Sequence, residues 1–186
     1  MGEARRVTRV SAEDYLAAER DAEVRHEYVD GELFAMAGAR RSHNTVVATL
    51  ARVLGNRLTG GPCRIGVPDM KVQAAPRSRY YYPDIVVSRN DPAEEPDEYT
   101  ETHPCLLVEV LSESTAAVDR REKRMAYQRI EFLVDYVLVD VDARSVERWT
   151  RDGDGWTRAS FEPGESLALT SIGTELSVAE CFADLG

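Results

Sequence analysis

The 186-residue sequence lacks the features that would place it outside the globular proteins. Its three cysteines are widely spaced and form no Cys-x-x-Cys pair, which argues against a disulfide framework or a structural zinc site. No apolar run approaches the ~20 residues of a membrane span, and the N-terminus lacks the apolar core of a signal peptide. We therefore expect one cytoplasmic domain over residues 1–186, with buried free thiols and no membrane partner.

An excess of positive charge is also missing. The formal net charge is -10, whereas proteins that bind DNA usually present a basic surface. Acid is concentrated between Asp91 and Glu101, a stretch with six carboxylates and no base. This balance weighs against a nucleic-acid partner but leaves room for a local basic strip, because five basic residues cluster around one predicted helix. They are Arg120, Arg121, Lys123, Arg124 and Arg129.

Lysine is the rare basic residue of this chain. Of the 23 basic residues, only Lys71 and Lys123 are lysines. An ammonium is a compact charge that can lose its proton, whereas a guanidinium stays planar and protonated. A lysine retained at position 123 therefore favours a role that arginine cannot fill, although two such positions can also arise by chance.

Two carboxylates stand within runs that are typical of buried strands. Asp84 lies in Tyr-Tyr-Tyr-Pro-Asp-Ile-Val-Val and Glu109 in Leu-Leu-Val-Glu-Val-Leu. Because alternate residues of a strand share a face, Glu109 shares its face with Leu107 and Leu111. An unpaired carboxylate there costs several kcal/mol unless it is hydrogen-bonded, paired or bound to a metal. Both acids would instead be solvated if they lay at strand ends, but the pair together favours a metal site.

Three further polar residues are weaker candidates for the same site. Asp30-Gly31 predicts a hairpin turn, and Glu27 lies on the first strand of that hairpin. A carboxylate in such a strand is more often solvated, and the alternative is that Glu27 faces a site. His43 falls in the first turn of a long helix that Ser42 is expected to cap, where a surface or capping histidine is commoner than one that approaches a phosphate. Asp119 is the third candidate.

Asp119 belongs to a predicted helix that follows the Glu109 strand and runs to about residue 129. Ser112, Ser114 and Thr115 are its candidate N-caps. Asp119, Lys123 and Tyr127 recur every four residues, so they share one face of that helix. A solvated stripe of ion pairs is the ordinary interpretation of such a face, and the scarcity of lysine weakens it.

A second Pro-Asp pair, Pro68-Asp69, superficially resembles a nuclease motif because Lys71 follows it. The acid and the lysine are too close in sequence to come from separate strands, and no continuous apolar run surrounds Asp69. We interpret this segment as a bend followed by a strand.

Several stretches together resemble the Uma family of restriction-endonuclease-like proteins, within the PD-(D/E)XK nuclease superfamily. The similarity extends over most of residues 11–182. The matching stretches are Glu27-Tyr-Val-Asp-Gly-Glu-Leu with Met36 and His43, then Tyr81-Tyr82-Pro83-Asp84, then Val108-Glu109-Val110-Leu111-Ser112 with Thr115, Asp119, Lys123 and Tyr127, and finally Asp135-Tyr136-Val137-Leu138-Val139-Asp140.

The resemblance implies an α/β (α+β) fold in which helices flank a restriction-endonuclease-like mixed central sheet, with an N-terminal helix and hairpin. It further implies a homodimer and Mg²⁺-dependent cleavage of DNA, with Mn²⁺ as a possible substitute. Asp84 and Glu109 match the metal-binding acids, and Lys123 matches the helical lysine of the family. The lysine usually found two positions after the second acid is replaced by Leu111. The sequence therefore predicts an endonuclease. The first alternative is an inactive nuclease-like module that binds nucleic acid or protein. The second is metal-dependent hydrolysis of a small phosphate ester, because a fold does not fix the substrate.

Overall fold

The computed structural model describes residues 9–36, 38–89, 91–112 and 116–185. Helices are few, and most are short. The α-helices are α1 (Ala12–Glu19), α2 (Arg41–Leu58), α3 (Ala116–Val118), α4 (Arg124–Tyr127) and α5 (Val178–Cys181). A 3₁₀-helix spans Pro92–Glu94, and a π-helix spans Asp119–Lys123 between α3 and α4.

Strands make up the rest of the framework. In chain order they are β1 (His26–Val29), β2 (Glu32–Ala35), β3 (Arg64–Gly66), β4 (Lys71–Ala75), β5 (Arg79–Tyr81), β6 (Ile85–Ser88), β7 (Thr100–Glu101), β8 (Pro104–Leu111), β9 (Asp135–Asp140), β10 (Ser145–Asp152), β11 (Gly155–Phe161), β12 (Ser166–Leu169) and β13 (Thr174–Ser177).

Within the described residues, the strands form two large mixed sheets and one small sheet. The six-stranded sheet has the order β11-β10-β9-β8-β6-β3, and its β8 and β9 are parallel while β6 and β8 are antiparallel. The five-stranded sheet has the order β2-β1-β5-β4-β7, and β12 pairs with β13. Mixed sheets with a few helices are the α+β class that the sequence predicts, although the strands are divided between sheets that local patterns do not distinguish.

Strand β8 is buried along its whole length and separates two hydrophobic cores. On one face, Leu106, Val108 and Val110 join the core that contains the apolar residues of α2 and α5. On the other face, Leu107 and Leu111 join the core that contains β4, β5 and α4. Alternation along the strand is therefore as predicted, and Glu109 belongs to the second face.

Short-range signals account for several element boundaries. Ser11 caps α1 by accepting a hydrogen bond from the Asp14 N–H, and Asp30 and Gly31 turn the β1–β2 hairpin with positive φ angles. Ser177 and Glu180 form a capping box at the start of α5.

Two boundary predictions need correction. Helix α2 begins at Arg41 after an Arg40 N-cap that makes no side-chain capping bond, so Ser42 lies inside the helix instead of capping it. The helix expected to reach residue 129 ends at Tyr127, and its middle segment is a π-helix. Of the proposed caps for that helix, Ser114 and Thr115 lie outside the described residues.

The three cysteines, Cys63, Cys105 and Cys181, are free thiols, as predicted. Cys105 and Cys181 are buried, as expected, whereas Cys63 is partly exposed. Across the described residues, no helix combines the length and the apolar character needed to cross a membrane.

Candidate active site

Glu109 is a buried carboxylate near the C-terminal end of β8, with a relative exposure of 4%. Its Oε1 atom accepts hydrogen bonds from Lys123 Nζ at 3.3 Å and from the Tyr127 hydroxyl at 3.0 Å. Burial raises the pKa of Glu109 well above its ordinary value, and the nearby Lys123 ammonium opposes this shift. The carboxylate that looked misplaced in an apolar strand is therefore paired rather than solvated.

Lys123 lies among three carboxylates from three different elements. Its Nζ atom is 2.7 Å from Glu27 Oε1 on β1, 3.3 Å from Glu109 Oε1 on β8, and 3.3 Å from Asp119 Oδ1 one turn earlier. Burial lowers the pKa of Lys123, but the carboxylates of Glu109, Glu27 and Asp119 outweigh it and raise the pKa well above the ordinary value. The ammonium therefore holds its proton and acts as a fixed positive charge.

Asp84 immediately precedes β6 and is positioned from two directions. Its Oδ2 atom accepts a hydrogen bond from the backbone N–H of Val110 at 2.7 Å and lies 3.4 Å from Nε2 of His43. Since β6 and β8 are antiparallel neighbours with Ile85 opposite Val108, the chain brings Asp84 beside Glu109. The hydrogen bond to Asp84 raises the pKa of His43, which favours the protonated imidazole.

A cavity of about 440 Å³ connects these groups. Asp84, Glu109 and Lys123 all line it, together with Glu27, His43 and Asp119. The remaining wall is partly apolar and includes Phe34 and Met36, whose side chains are partly exposed at the edge of the β1–β2 hairpin. The structure thus brings all six residues singled out in the sequence to one cavity.

The commoner environments expected for Glu27 and His43 are wrong. Glu27 is not a solvated hairpin carboxylate, because its side chain is 15% exposed and makes the shortest contact to Lys123. His43 is not a surface residue, because its side chain is 14% exposed, and its buried Nδ1 has no hydrogen-bond partner among the described residues. Sequence patterns do not predict either environment, because the Glu27–Lys123 and His43–Asp84 contacts join elements that are distant along the chain.

Lys123 reaches the cavity from a π-helix. The segment Asp119–Lys123 adopts this rare wider turn, which is common at functional sites. Asp119 and Lys123 still share a face, and Tyr127 contacts the same Glu109 carboxylate, as the spacing of four predicted. Lys123 is 5% exposed, so it does not belong to the basic strip expected around this helix.

Sequence reasoning did not assign Tyr127 a place in the site, although its position four residues after Lys123 was the available signal. Its buried hydroxyl donates to the same Glu109 oxygen as Lys123. Glu122 is a second omission, since it lines the cavity and accepts a hydrogen bond from the Tyr81 hydroxyl at 3.2 Å.

Asp69 does not contribute a carboxylate to the cavity. It lies in the turn between β3 and β4 with a φ angle of 91°, and its side chain is 73% exposed and 3.6 Å from Arg25. This agrees with the interpretation of Pro68-Asp69 as a bend.

The fold is that of a nuclease-like protein of known structure. A protein from Anabaena variabilis described as "a putative nuclease belonging to DUF820" aligns with a TM-score of 0.79 over 95% of this chain and 99% of that chain, at 16% identity. The restriction-endonuclease-like fold class expected from the sequence is thereby confirmed.

The sequence itself matches the family model of Uma2, described as "Putative restriction endonuclease", over residues 12–179. The chain belongs to this family. Two similar proteins come from Synechocystis sp.: uncharacterized protein slr1290 is 36% identical over 91% of this chain and 90% of its own length, and uncharacterized protein sll1609 is 33% identical over 78% of this chain and 82% of its own length.

Proposed function

We propose that this protein is a metal-dependent endonuclease that hydrolyses DNA phosphodiester bonds. The observation that carries the proposal is the convergence of Asp84 and Glu109, from adjacent strands, on one cavity with the buried Lys123 ammonium. Membership in a family described as restriction endonucleases supports the same class of reaction.

The charges in the cavity fit a divalent cation. Among the described residues, Lys123 and the partly buried His43 are the cationic partners of four cavity carboxylates, those of Glu27, Asp84, Glu109 and Asp119. Such an excess of buried carboxylate is costly without a further cation. Carboxylate oxygens are the ligands that Mg²⁺ prefers, and Mn²⁺ accepts them as well.

Within the described residues, the hydrogen bonds to the two proposed ligands fall on one oxygen of each. Asp84 accepts through Oδ2, and Glu109 accepts through Oε1. Asp84 Oδ1 and Glu109 Oε2 are thus the atoms we assign to the metal. A bound Mg²⁺ would polarise the phosphoryl group and lower the pKa of a bound water.

The remaining residues of the cavity orient these groups. Glu27 and Asp119 hold the Lys123 ammonium, which keeps its proton and stabilises negative charge that develops on the phosphate. The lysine is absent from its usual position after the second acid, where Leu111 packs in the core, but Lys123 Nζ lies 3.3 Å from Glu109 Oε1. His43 and the Val110 N–H fix the orientation of Asp84.

A second function is favoured by the overall charge of -10 and by Leu111 at the usual lysine position. In this alternative, the protein is a non-catalytic module that uses the nuclease-like scaffold to bind nucleic acid or another protein. It then needs no divalent metal in the cavity, so metal binding that depends on Asp84 separates the two functions.

Nicking of supercoiled plasmid DNA tests the enzymatic function. We expect nicking with Mg²⁺ or Mn²⁺, loss of nicking with a chelator, and a rate lowered by more than about 100-fold in Asp84→Asn and Glu109→Gln. Asp69→Asn is the matched control, because Asp69 also follows a proline but lies exposed in a turn. Equal rates in the wild type and the two cavity variants would exclude these roles.

We also propose that the protein is a homodimer and that it acts in the cytoplasm. A dimer would supply two sites for the two DNA strands. Light scattering on the purified full-length chain measures the assembly, and a monomer that still nicks DNA would show that one copy suffices for single-strand cleavage.

A further inference from the structure

A second cluster of metal-ligand side chains lies in the acidic segment before β8. Ligand atoms of Glu95, Glu101 and His103 all lie within 4.8 Å of one another. The cluster is separate from the candidate active site, because the cavity beside it shares no lining residue with the active-site cavity. Nothing in the proposed nuclease reaction uses these three residues.

The two carboxylates of this cluster are buried, unlike most acids of the segment. Their side chains are 6% and 9% exposed for Glu95 and Glu101, and the His103 side chain is 26% exposed. His103 Nδ1 lies 3.0 Å from Glu95 Oε1, and the His103 ring contacts the Phe132 ring at 4.5 Å between centroids. The imidazole is therefore held against the carboxylates.

The carboxylates of Glu95 and Glu101 lie close together, with ligand oxygens within 4.8 Å of each other. Arg64 is 3.6 Å from Glu101 Oε2, and this arginine is the cation paired with that acid among the described residues. Two buried carboxylates this close to each other need either a shared proton or a cation between them.

A buried hydroxyl in the neighbouring cavity is an independent observation that points to a bound ligand. Thr100 is 4% exposed, and its Oγ1 atom has no hydrogen-bond partner among the described residues. Buried polar groups are normally satisfied by protein, water or an ion. Thr100 lines a cavity of about 270 Å³ together with Glu95 and Glu101.

We propose that Glu95, Glu101 and His103 bind a divalent transition-metal ion of the Zn²⁺ class. Two carboxylate oxygens and one imidazole nitrogen suit such an ion, whereas Mg²⁺ prefers oxygen ligands alone. The cavity beside Thr100 leaves room for a water as a further ligand. This site does not depend on the proposed nuclease function.

The position of the cluster gives the ion a structural role. Glu95 follows the Pro92–Glu94 helix, Glu101 ends β7, and His103 directly precedes β8. An ion bound by all three ties the acidic segment to the strand that carries Glu109. Because the ligands come together only in the folded chain, the ion stabilises the folded state and raises the melting temperature.

Calorimetric titration of Zn²⁺ into the full-length chain tests the proposal. We expect a saturable site of micromolar or tighter affinity that weakens by more than about 10-fold in His103→Ala and in Glu101→Gln. Glu94→Gln is the matched control, since Glu94 is an exposed acid of the same segment. Zn²⁺ should also raise the melting temperature of the wild type and of Glu94→Gln.

Glu109→Gln separates the two sites. We expect this variant to keep the Zn²⁺ site even though it loses nuclease activity. The Zn²⁺ site and the nuclease function can therefore fail independently of each other. Unchanged Zn²⁺ affinity in the folded Glu101→Gln variant would overturn the proposal. So would Zn²⁺ binding that disappears in Glu109→Gln, because it would assign the ion to the active-site cavity.

Discussion

The two faces of strand β8 use the same backbone for different purposes. Leu106, Val108 and Val110 pack into an apolar core on one face. On the opposite face, Leu107 and Leu111 flank Glu109, a buried acid that accepts hydrogen bonds from Lys123 of the π-helix and Tyr127 of α4. An apolar strand can thus carry a buried carboxylate when the facing elements supply its hydrogen-bond partners. Mutations on the two faces should accordingly separate stability from activity.

The largest difference is expected between Glu109→Gln and Leu106→Ala. Glu109→Gln should lower the nicking rate by more than about 100-fold while changing the free energy of unfolding by less than about 1 kcal/mol, because Lys123 keeps Glu27 and Asp119. Leu106→Ala should lower that free energy by about 2–5 kcal/mol by opening a cavity, yet leave the rate of the folded protein within a few-fold. Plasmid nicking and urea unfolding on both variants measure the two effects.

The separation of the faces would be contradicted by the reverse pattern. If Leu106→Ala abolished activity in the folded protein while Glu109→Gln kept it, the polar face would be structural.

Substitutions of Lys123 should affect both properties, because the ammonium balances three buried carboxylates. Lys123→Met should lower the free energy of unfolding by about 3–5 kcal/mol at neutral pH. It should also lower the nicking rate by about 100-fold or more. The stability should recover partly at lower pH, where the carboxylates take up protons, and thermal melting as a function of pH measures this.

Lys123→Arg distinguishes the positive charge of the side chain from its compact shape. It keeps the charge but replaces a compact ammonium by a planar guanidinium, so we expect it to retain more stability than Lys123→Met while staying slow. Full activity in Lys123→Arg would show that the position needs only a positive charge.

The pH dependence of metal binding follows from the raised pKa of Glu109. A proton competes with the metal for the carboxylate, so Mg²⁺ affinity should fall as pH decreases, by up to about tenfold per pH unit. The fall should begin above the range of an ordinary glutamate, about pH 4.3. Metal titrations at a series of pH values measure it, and an onset in the ordinary carboxylate range would contradict the burial argument.

The metal-free protein should show the opposite trend. A carboxyl whose folded-state pKa is raised contributes stability below its unfolded-state pKa, and that contribution is lost as pH rises through the folded-state value. Glu109 should therefore favour the metal-free folded state at lower pH, and Glu109→Gln should remove this part of the pH dependence.

Tyr127→Phe should have the smallest effect. It removes one of the two hydrogen bonds to Glu109 Oε1 and leaves the Lys123 contact. We expect a loss of about 1 kcal/mol in the free energy of unfolding and a nicking rate lowered by less than about tenfold. Nicking kinetics on this variant measure it, and a loss as large as that of Glu109→Gln would give Tyr127 a direct catalytic role.

Local patterns in the sequence predict much of this site. Alternation within the apolar runs places Glu109 on one face of its strand, and spacing by four groups Asp119 with Lys123. The scarcity of lysine is informative as well, because both lysines are buried, Lys71 at 3% and Lys123 at 5% exposure. The roles assigned to these residues stay predictions.

Long-range contacts are the part that sequence patterns do not provide. The 2.7 Å contact between Lys123 and Glu27 joins residues far apart in the chain. The division into two large sheets depends on strand register across the whole fold, as in the pairing of β1 with β5. The π-helix at Asp119–Lys123 leaves no local signature, since its sequence is compatible with an ordinary α-helix.

Calorimetric titration with Mn²⁺ is the most direct test of the shared metal site. We expect saturable binding to the wild type, with the component assigned to the cavity lost in both Asp84→Asn and Glu109→Gln and retained in Asp69→Asn. Binding that is identical in all four proteins would contradict the claim that Asp84 and Glu109 hold a metal together.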